Sequence, residues 1–222
     1  MRVLLYFDNS ISVFKHPFNK KVNGFINKVL GANNKYHGKT SRYSVSPLLG
    51  AVKVDDGFSY PNGAHLYVSS DDSDFIRDII YGLMEGRGTQ IEDMRYLRCE
   101  MCDFNVGSMF DLVRTAPLLL SDKGRVVTVK DDDFTDVLVR KTRNKLIHYG
   151  MSEKVANTLE FELFHGEKAK TVAIPIGDVI NIGSKVMLYA KGNRKARRMA
   201  YELGLGKCTG FGFGSVTLND KL

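Results

Sequence analysis

The chain of 222 residues contains no tryptophan, five prolines and three cysteines. An odd and small cysteine count argues against a disulfide framework and for a reducing compartment, which places the protein in the cytoplasm. The lack of Trp removes no function, because Tyr and Phe also stack on bases. No apolar run approaches the ~20 residues that cross a bilayer. The opening MRVLLYFDNSISVF holds a five-residue apolar stretch, but Asp8 and Asn9 interrupt it before a signal-peptide core forms. These absences predict a chain that is neither membrane-inserted nor secreted.

What is present fits a globular protein: 43% of residues are hydrophobic and 26% charged. The length suits two units of roughly 110 residues, each able to bury its own core. The net charge of +7 is unevenly spread. Residues 1–45 carry +7, residues 185–208 carry +6, and residues 46–184 carry −6. Two separated basic segments suit a polyanion that spans both units, since each neutralised phosphate releases counterions.

Hydrophobic spacing gives the order of elements. A strand over 3–7 is followed by a helix that Asn19 can cap, with Val22, Phe25, Ile26, Val29 and Leu30 at i, i+3, i+4, i+7 and i+8. Strands are expected over 43–54 and 64–70. A second helix follows, capped by Asp71, Asp72 or Ser73, with Phe75, Ile76, Ile79, Ile80, Leu83 and Met84 inward and an end at Gly86. A strand over 89–104 completes the split βαβ order. The same order recurs more faintly: strand 108–120, helix 134–149, strands 158–165 and 185–190, helix Asn193–Leu203 and strand 213–218. In the helix 134–149, Phe134, Val137 and Leu138 begin an apolar stripe that Lys141 interrupts. Residues 166–184 suggest a hairpin or insertion. The expected fold class is α+β, with two tandem ferredoxin-like domains (RRM-like, βαββαβ) over 1–106 and 107–222.

The segment GLGKCTGFGFG at 204–214 has five glycines in eleven residues, Gly204, Gly206, Gly210, Gly212 and Gly214, with Lys207 among them. Such a loop allows close approach of backbone to a ligand and presents N–H groups to phosphate. A helix precedes it and a strand follows, the reverse of a dinucleotide loop, and no Ser or Thr follows Lys207 as a phosphate-binding ATPase loop requires. Upstream, Ala196, Met199, Ala200 and Leu203 share one helical face. That leaves Arg194, Lys195, Arg197 and Arg198, with Lys191 just before, for solvent or phosphate.

Residues 185–218, KVMLYAKGNRKARRMAYELGLGKCTGFGFGSVTL, resemble the C-terminal signature of the CRISPR repeat-processing endoribonucleases, members of the repeat-associated RNA-binding superfamily. HPFNKKVNGFINKVL (16–30) and KYHGKTSRYSVSPLLGA (35–51) resemble that family's first helix, histidine loop and second strand. The resemblance covers both ends of the chain, and the middle contributes fold order. It implies two ferredoxin-like domains and metal-free, cofactor-free cleavage of CRISPR repeat RNA that leaves a 2′,3′-cyclic phosphate. Subunits of a CRISPR effector complex and a second copy of the chain are further candidate partners.

The chemistry can be weighed on its own terms. Metal-free cleavage needs a base for the 2′-hydroxyl, a proton donor for the 5′-oxygen and positive charge near the phosphorane-like transition state. Histidine serves either proton role, since at an ordinary pKa near 6.5 roughly a quarter is protonated at pH 7. Of five histidines, His37 lies in a basic, Gly-rich segment, with Tyr36, Lys39, Ser41 and Arg42 close by in sequence. We therefore expect His37 as the proton-transfer residue, Lys39 or Arg42 as the charge on the cleaved phosphate, and Tyr36 as its orienter. The family often pairs its histidine with a Tyr and a Lys. His16 suits a structural or RNA-contact role, and His65, His148 and His165 read as structural. Cys99 and Cys102 lie three apart on a strand, so they face opposite ways and offer too few ligands for zinc. Asp131–Asp133 precede a helix, where acids commonly cap. The rival reading is a non-catalytic CRISPR RNA-binding subunit of the same fold.

Overall fold

The computed structural model describes residues 1–14, 19–36, 40–102, 104–164, 169–176 and 178–218. In the first half the elements are β1 (Arg2–Phe7), β2 (Ser10–Phe14), α1 (Asn19–Leu30), β3 (Tyr43–Val45), β4 (Val52–Val54), β5 (Gly57–Tyr60), β6 (Ala64–Ser70), α2 (Ser73–Met84), β7 (Gln90–Ile91) and β8 (Met94–Cys102). The main sheet runs β3-β6-β1-β8-β7, all pairs antiparallel. Alternation along β1 decides its faces: Val3, Leu5 and Phe7 point to the helices, whereas Arg2, Leu4 and Tyr6 point away. The apolar stripe of α1 meets them, and Val22, Phe25, Ile26, Val29 and Leu30 are all buried. Helix α2 is capped by Asp72, whose side chain accepts from the Asp74 N–H at 3.0 Å. Its expected inner residue Met84 is instead 77% exposed, although the adjacent Leu83 is buried in the core.

The expected strand over 43–54 divides. Pro47 lacks an N–H for the ladder, so regular pairing with β6 is interrupted there and resumes only as a single Leu49–His65 bridge, and β4 joins a separate sheet, β2-β5-β4. The expected strand over 89–104 also divides, at a tight turn where Glu92 takes a positive φ of 54°. Strand β2 follows β1 directly and was not read from the sequence.

The second half contains β9 (Phe110–Thr115), β10 (Leu120–Asp122), β11 (Arg125–Val127), α3 (Phe134–His148), α4 (Glu153–Ala156), β12 (Glu160–Leu163), β13 (Lys170–Ile176), β14 (Val179–Lys185), β15 (Met187–Lys191), α5 (Arg194–Leu203) and β16 (Val216–Leu218). Its main sheet, β12-β15-β9-β16, repeats the antiparallel order of the first, with α3 and α5 packed on one face. Both halves are therefore ferredoxin-like. The expected strand 108–120 stops at Thr115, two residues before Pro117. Residues 166–184 supply the hairpin β13–β14, in which Pro175 pairs with Ile180. Phe104 and Val106, assigned by sequence to the first unit, pack into the second core.

The halves are tied by polar contacts. The N-terminal ammonium of Met1 donates to the Ser70 carbonyl at 2.6 Å and contacts the Glu202 carboxylate. The buried Arg2 guanidinium donates to Ser69 Oγ at 2.8 Å and the Val216 carbonyl at 2.5 Å, and lies 3.8 Å over the Phe104 ring. Burial lowers its pKa to about 10, still charged at neutral pH. Ser44 Oγ donates to the Glu202 carbonyl at 3.1 Å, and Thr209 Oγ1 to the Tyr43 carbonyl at 2.7 Å.

Candidate functional site

A cleft opens where the segment between α1 and β3 faces the C-terminal end of α3 and the glycine-rich loop. Two adjoining hollows of about 430 and 380 Å³ share Thr40, His148 and Tyr149. Lys35, Tyr36, Thr40, Ser41 and Arg42 form the N-terminal wall. Lys141, Asn144, Lys145, His148 and Tyr149 form the opposite wall, at i, i+3, i+4, i+7 and i+8 along α3. Lys141 is thus the first residue of a polar stripe, and its break in the apolar pattern marks a second working face of the helix.

Each wall is held by specific contacts. Tyr149 donates its hydroxyl to the Thr40 carbonyl at 3.2 Å, and its ring packs on Arg42, whose guanidinium carbon lies 5.3 Å from the ring centre. Lys145 donates to the Leu203 and Gly204 carbonyls at 3.1 and 3.0 Å, the acceptor end of α5. Enclosure of that ammonium lowers its pKa to about 8. Lys207, on the floor of the cleft, is exposed.

His37 and Lys39 lie outside the described residues, as do His16 and His165. Tyr36 lines the cleft, but its hydroxyl donates to Asp78 Oδ2 at 2.9 Å, and burial together with Asp78 pushes its pKa up to about 12. It is committed to α2, so an orienting role toward phosphate would require breaking that bond. Arg42 is held by Asp71 through Nε at 2.9 Å and Nη2 at 2.7 Å. Lys191 pairs with Glu162 at 2.7 Å on the outer sheet face. Arg194 and Lys195 are exposed at the start of α5, where Asn193 caps the helix by accepting from the Lys195 N–H at 2.9 Å. Arg198 is half-exposed and donates from Nε to Glu202 Oε1 at 3.1 Å.

Arg197 corrects the sequence expectation. It is 0% exposed, and its Nη1 donates to Asp111 Oδ2 at 2.5 Å, while Nε and Nη2 serve the Gly192 and Gly107 carbonyls at 3.1 and 2.7 Å. Tyr201 donates to the same Asp111 oxygen at 2.8 Å. The helical face that should have been purely apolar carries a satisfied buried ion pair instead, so Arg197 offers nothing to solvent.

The glycines also differ from the expected open cradle. Gly204, Gly210, Gly212 and Gly214 are buried and Gly206 is half-buried. Their conformations serve packing: at Gly214, with φ +57°, a Cβ would meet the Leu205 carbonyl oxygen at 1.7 Å, and at Gly210 it would meet Ser41 and Tyr43 at 2.9 Å. The loop wedges between the halves, and Asn23 Nδ2 donates to the Gly210 carbonyl at 3.2 Å. What it turns outward is Lys207, Cys208 and Phe211.

The remaining candidates fall elsewhere. His65 sits on the outer face of the first sheet beside Tyr6 and Tyr67, where burial lowers its pKa. Cys99 pairs in register with Leu5 and Cys102 with Arg2, on opposite faces of β8. Arg125 holds Asp131 at 2.9 Å and Asp133 at 2.5 Å. Among the described residues, no group of three His, Cys, Asp or Glu converges, and no helix is long and apolar enough to cross a membrane.

Residues 109–218 match the family model described as CRISPR associated protein Cas6, C-terminal. Through this half the chain belongs to the Cas6 family. Solved structures share the whole fold. A Cas6-related protein from Pyrococcus furiosus superposes with a TM-score of 0.83 at 19% identity, covering 100% of this chain and 99% of its own. A CRISPR associated protein Cas6 gives 0.81 at 19%, with 99% of each chain covered. A protein described as a RAMP protein binding different RNA substrates gives 0.77 at 20%, covering 99% of this chain and all of its own. No curated protein matches the chain by sequence. These similarities agree with the double ferredoxin-like fold, and the Cas6 half supplies α3, α5 and the glycine loop, which together make one side of the cleft.

Proposed function

We propose that the protein is a metal-independent endoribonuclease that binds CRISPR repeat RNA and cuts it by 2′-hydroxyl attack, leaving 2′,3′-cyclic phosphate and 5′-hydroxyl ends. The observation that carries this reading is the cleft between the two halves, where a Cas6-family helix and loop face the segment that bears Tyr36 and leads to Thr40. His37 and Lys39 fall between those two residues in the chain. In this reading His37 moves a proton, Lys39 adds charge near the cleaved phosphate, and Lys207 with the exposed Arg194 and Lys195 holds the RNA backbone. The cation-lined wall favours a polyanion over a neutral ligand.

A non-catalytic RNA-binding role on the same fold has one observation in its favour. Two of the expected helpers, Tyr36 and Arg42, are already engaged by Asp78 and Asp71. Incubating the protein with repeat RNA in EDTA separates the readings. Shortened RNA ending in a cyclic phosphate supports the nuclease. Intact RNA that is retarded on a gel supports the binding role and overturns the nuclease.

A further inference from the structure

The cleft holds a histidine that neither the basic segments nor the glycine loop pointed to. Transesterification of RNA moves two protons, one from the 2′-hydroxyl and one to the 5′-oxygen, and a single imidazole cannot hold both positions at once. His148 is exposed in the last turn of α3 and lines both hollows, together with Thr40 from the opposite wall. Its ring packs edge-on against Tyr149 at 4.9 Å, and that tyrosine is fixed across the cleft by its bond to Thr40. Among the described residues the ring nitrogens of His148 have no hydrogen-bond partner, whereas the hydroxyls of Tyr36 and Tyr149 in the same cleft are taken. An imidazole held by one edge, with neither nitrogen bonded to a described residue, is placed to exchange a proton with something that enters.

Resting on the ribonuclease reading above, we propose that His148 is a second catalytic residue, the proton donor to the leaving 5′-oxygen. In that step the 2′-oxygen bonds to phosphorus as its proton passes to the general base, the role given above to His37. The bond from phosphorus to O5′ breaks, the electron pair leaves with O5′, and that oxygen takes the proton from the His148 ring. Cyclic phosphate and a 5′-hydroxyl result, and nothing is oxidised or reduced. Each half of the molecule thereby contributes one proton carrier, so catalysis depends on the halves staying docked.

The test compares wild type, His148→Ala and His148→Asn on two repeat RNAs in EDTA. One is ordinary RNA, and the other carries sulfur in place of the scissile 5′-oxygen, a leaving group that needs no proton. The expected result is a loss of roughly 10²–10⁴-fold on the oxygen substrate for both variants, with wild-type rates on the sulfur substrate. A residue that merely packs the helix end would slow both substrates alike. Either equal slowing on both or unchanged cleavage of the oxygen substrate overturns the proposal. A wild type that cuts neither RNA removes the ribonuclease reading and this role with it, while an active wild type beside equally active variants removes this role alone.

Discussion

At the scale of single residues, Arg197 shows how far a side chain's role departs from its type. Four of the five basic residues expected to line the RNA around α5, Lys191, Arg194, Lys195 and Arg198, keep at least partial exposure, while Arg197 points inward to Asp111. Replacing it with Ala would strand a buried carboxylate, so Arg197→Ala should lower unfolding stability by about 3–5 kcal/mol, measured by chemical denaturation. A change under ~1 kcal/mol would contradict the burial. Lys145 gives a pH signature. Its pKa is lowered to about 8 in the folded chain, against an ordinary value of 10.5 when unfolded. Between these values the unfolded chain holds the proton and the folded one does not, so the Lys145 contribution to stability rises with pH across that window. The stability difference between wild type and Lys145→Met should therefore shift in favour of wild type from pH 8 to 10. A flat difference would mean that the ammonium is not enclosed.

At the scale of elements, the basic start of α5 is the surface that the sequence marked most plainly. Arg194 and Lys195 are exposed there. If both neutralise phosphates of single-stranded RNA, Arg194→Ala with Lys195→Ala should reduce the slope of log affinity against log salt by about 1.4. An unchanged slope would move the RNA off this helix. Helix periodicity was legible because burial enforces it: every apolar position named in α1 is buried, and Asp72, one of the three residues offered as the cap of α2, caps it. Strand ends were less legible, since Pro47 and the turn at Glu92 break ladders locally while composition on either side stays strand-like. The short pairs β10–β11 and β2–β5 escaped because three to five residues carry too little pattern to read. The glycine loop was read as an open cradle because glycine also marks close packing. Only the neighbours of Gly210 and Gly214, residues 41–43 and 205, distinguish the two. The working face of α3 was hidden in its apolar stripe: Lys141 looked like an interruption, yet it begins a series that continues through Lys145 to His148.

At the scale of the whole molecule, one contiguous cleft is built from segments more than a hundred residues apart, and no local pattern could have joined them. Met1, Arg2, Ser44 and Thr209 hold the halves together, and Tyr149 closes on Thr40. The account stands on the scissile linkage of the RNA lying between those walls. The most direct measurement uses a repeat RNA with a 2′-deoxy nucleotide at the cut, which blocks attack, and a photoreactive thiouridine beside it. Irradiation followed by peptide mass spectrometry should recover cross-links to both walls, at Lys35, Tyr36 or residues 40–43 on one side and residues 141–149 on the other. Cross-links confined to the outer faces, such as α2 or β12, would contradict it.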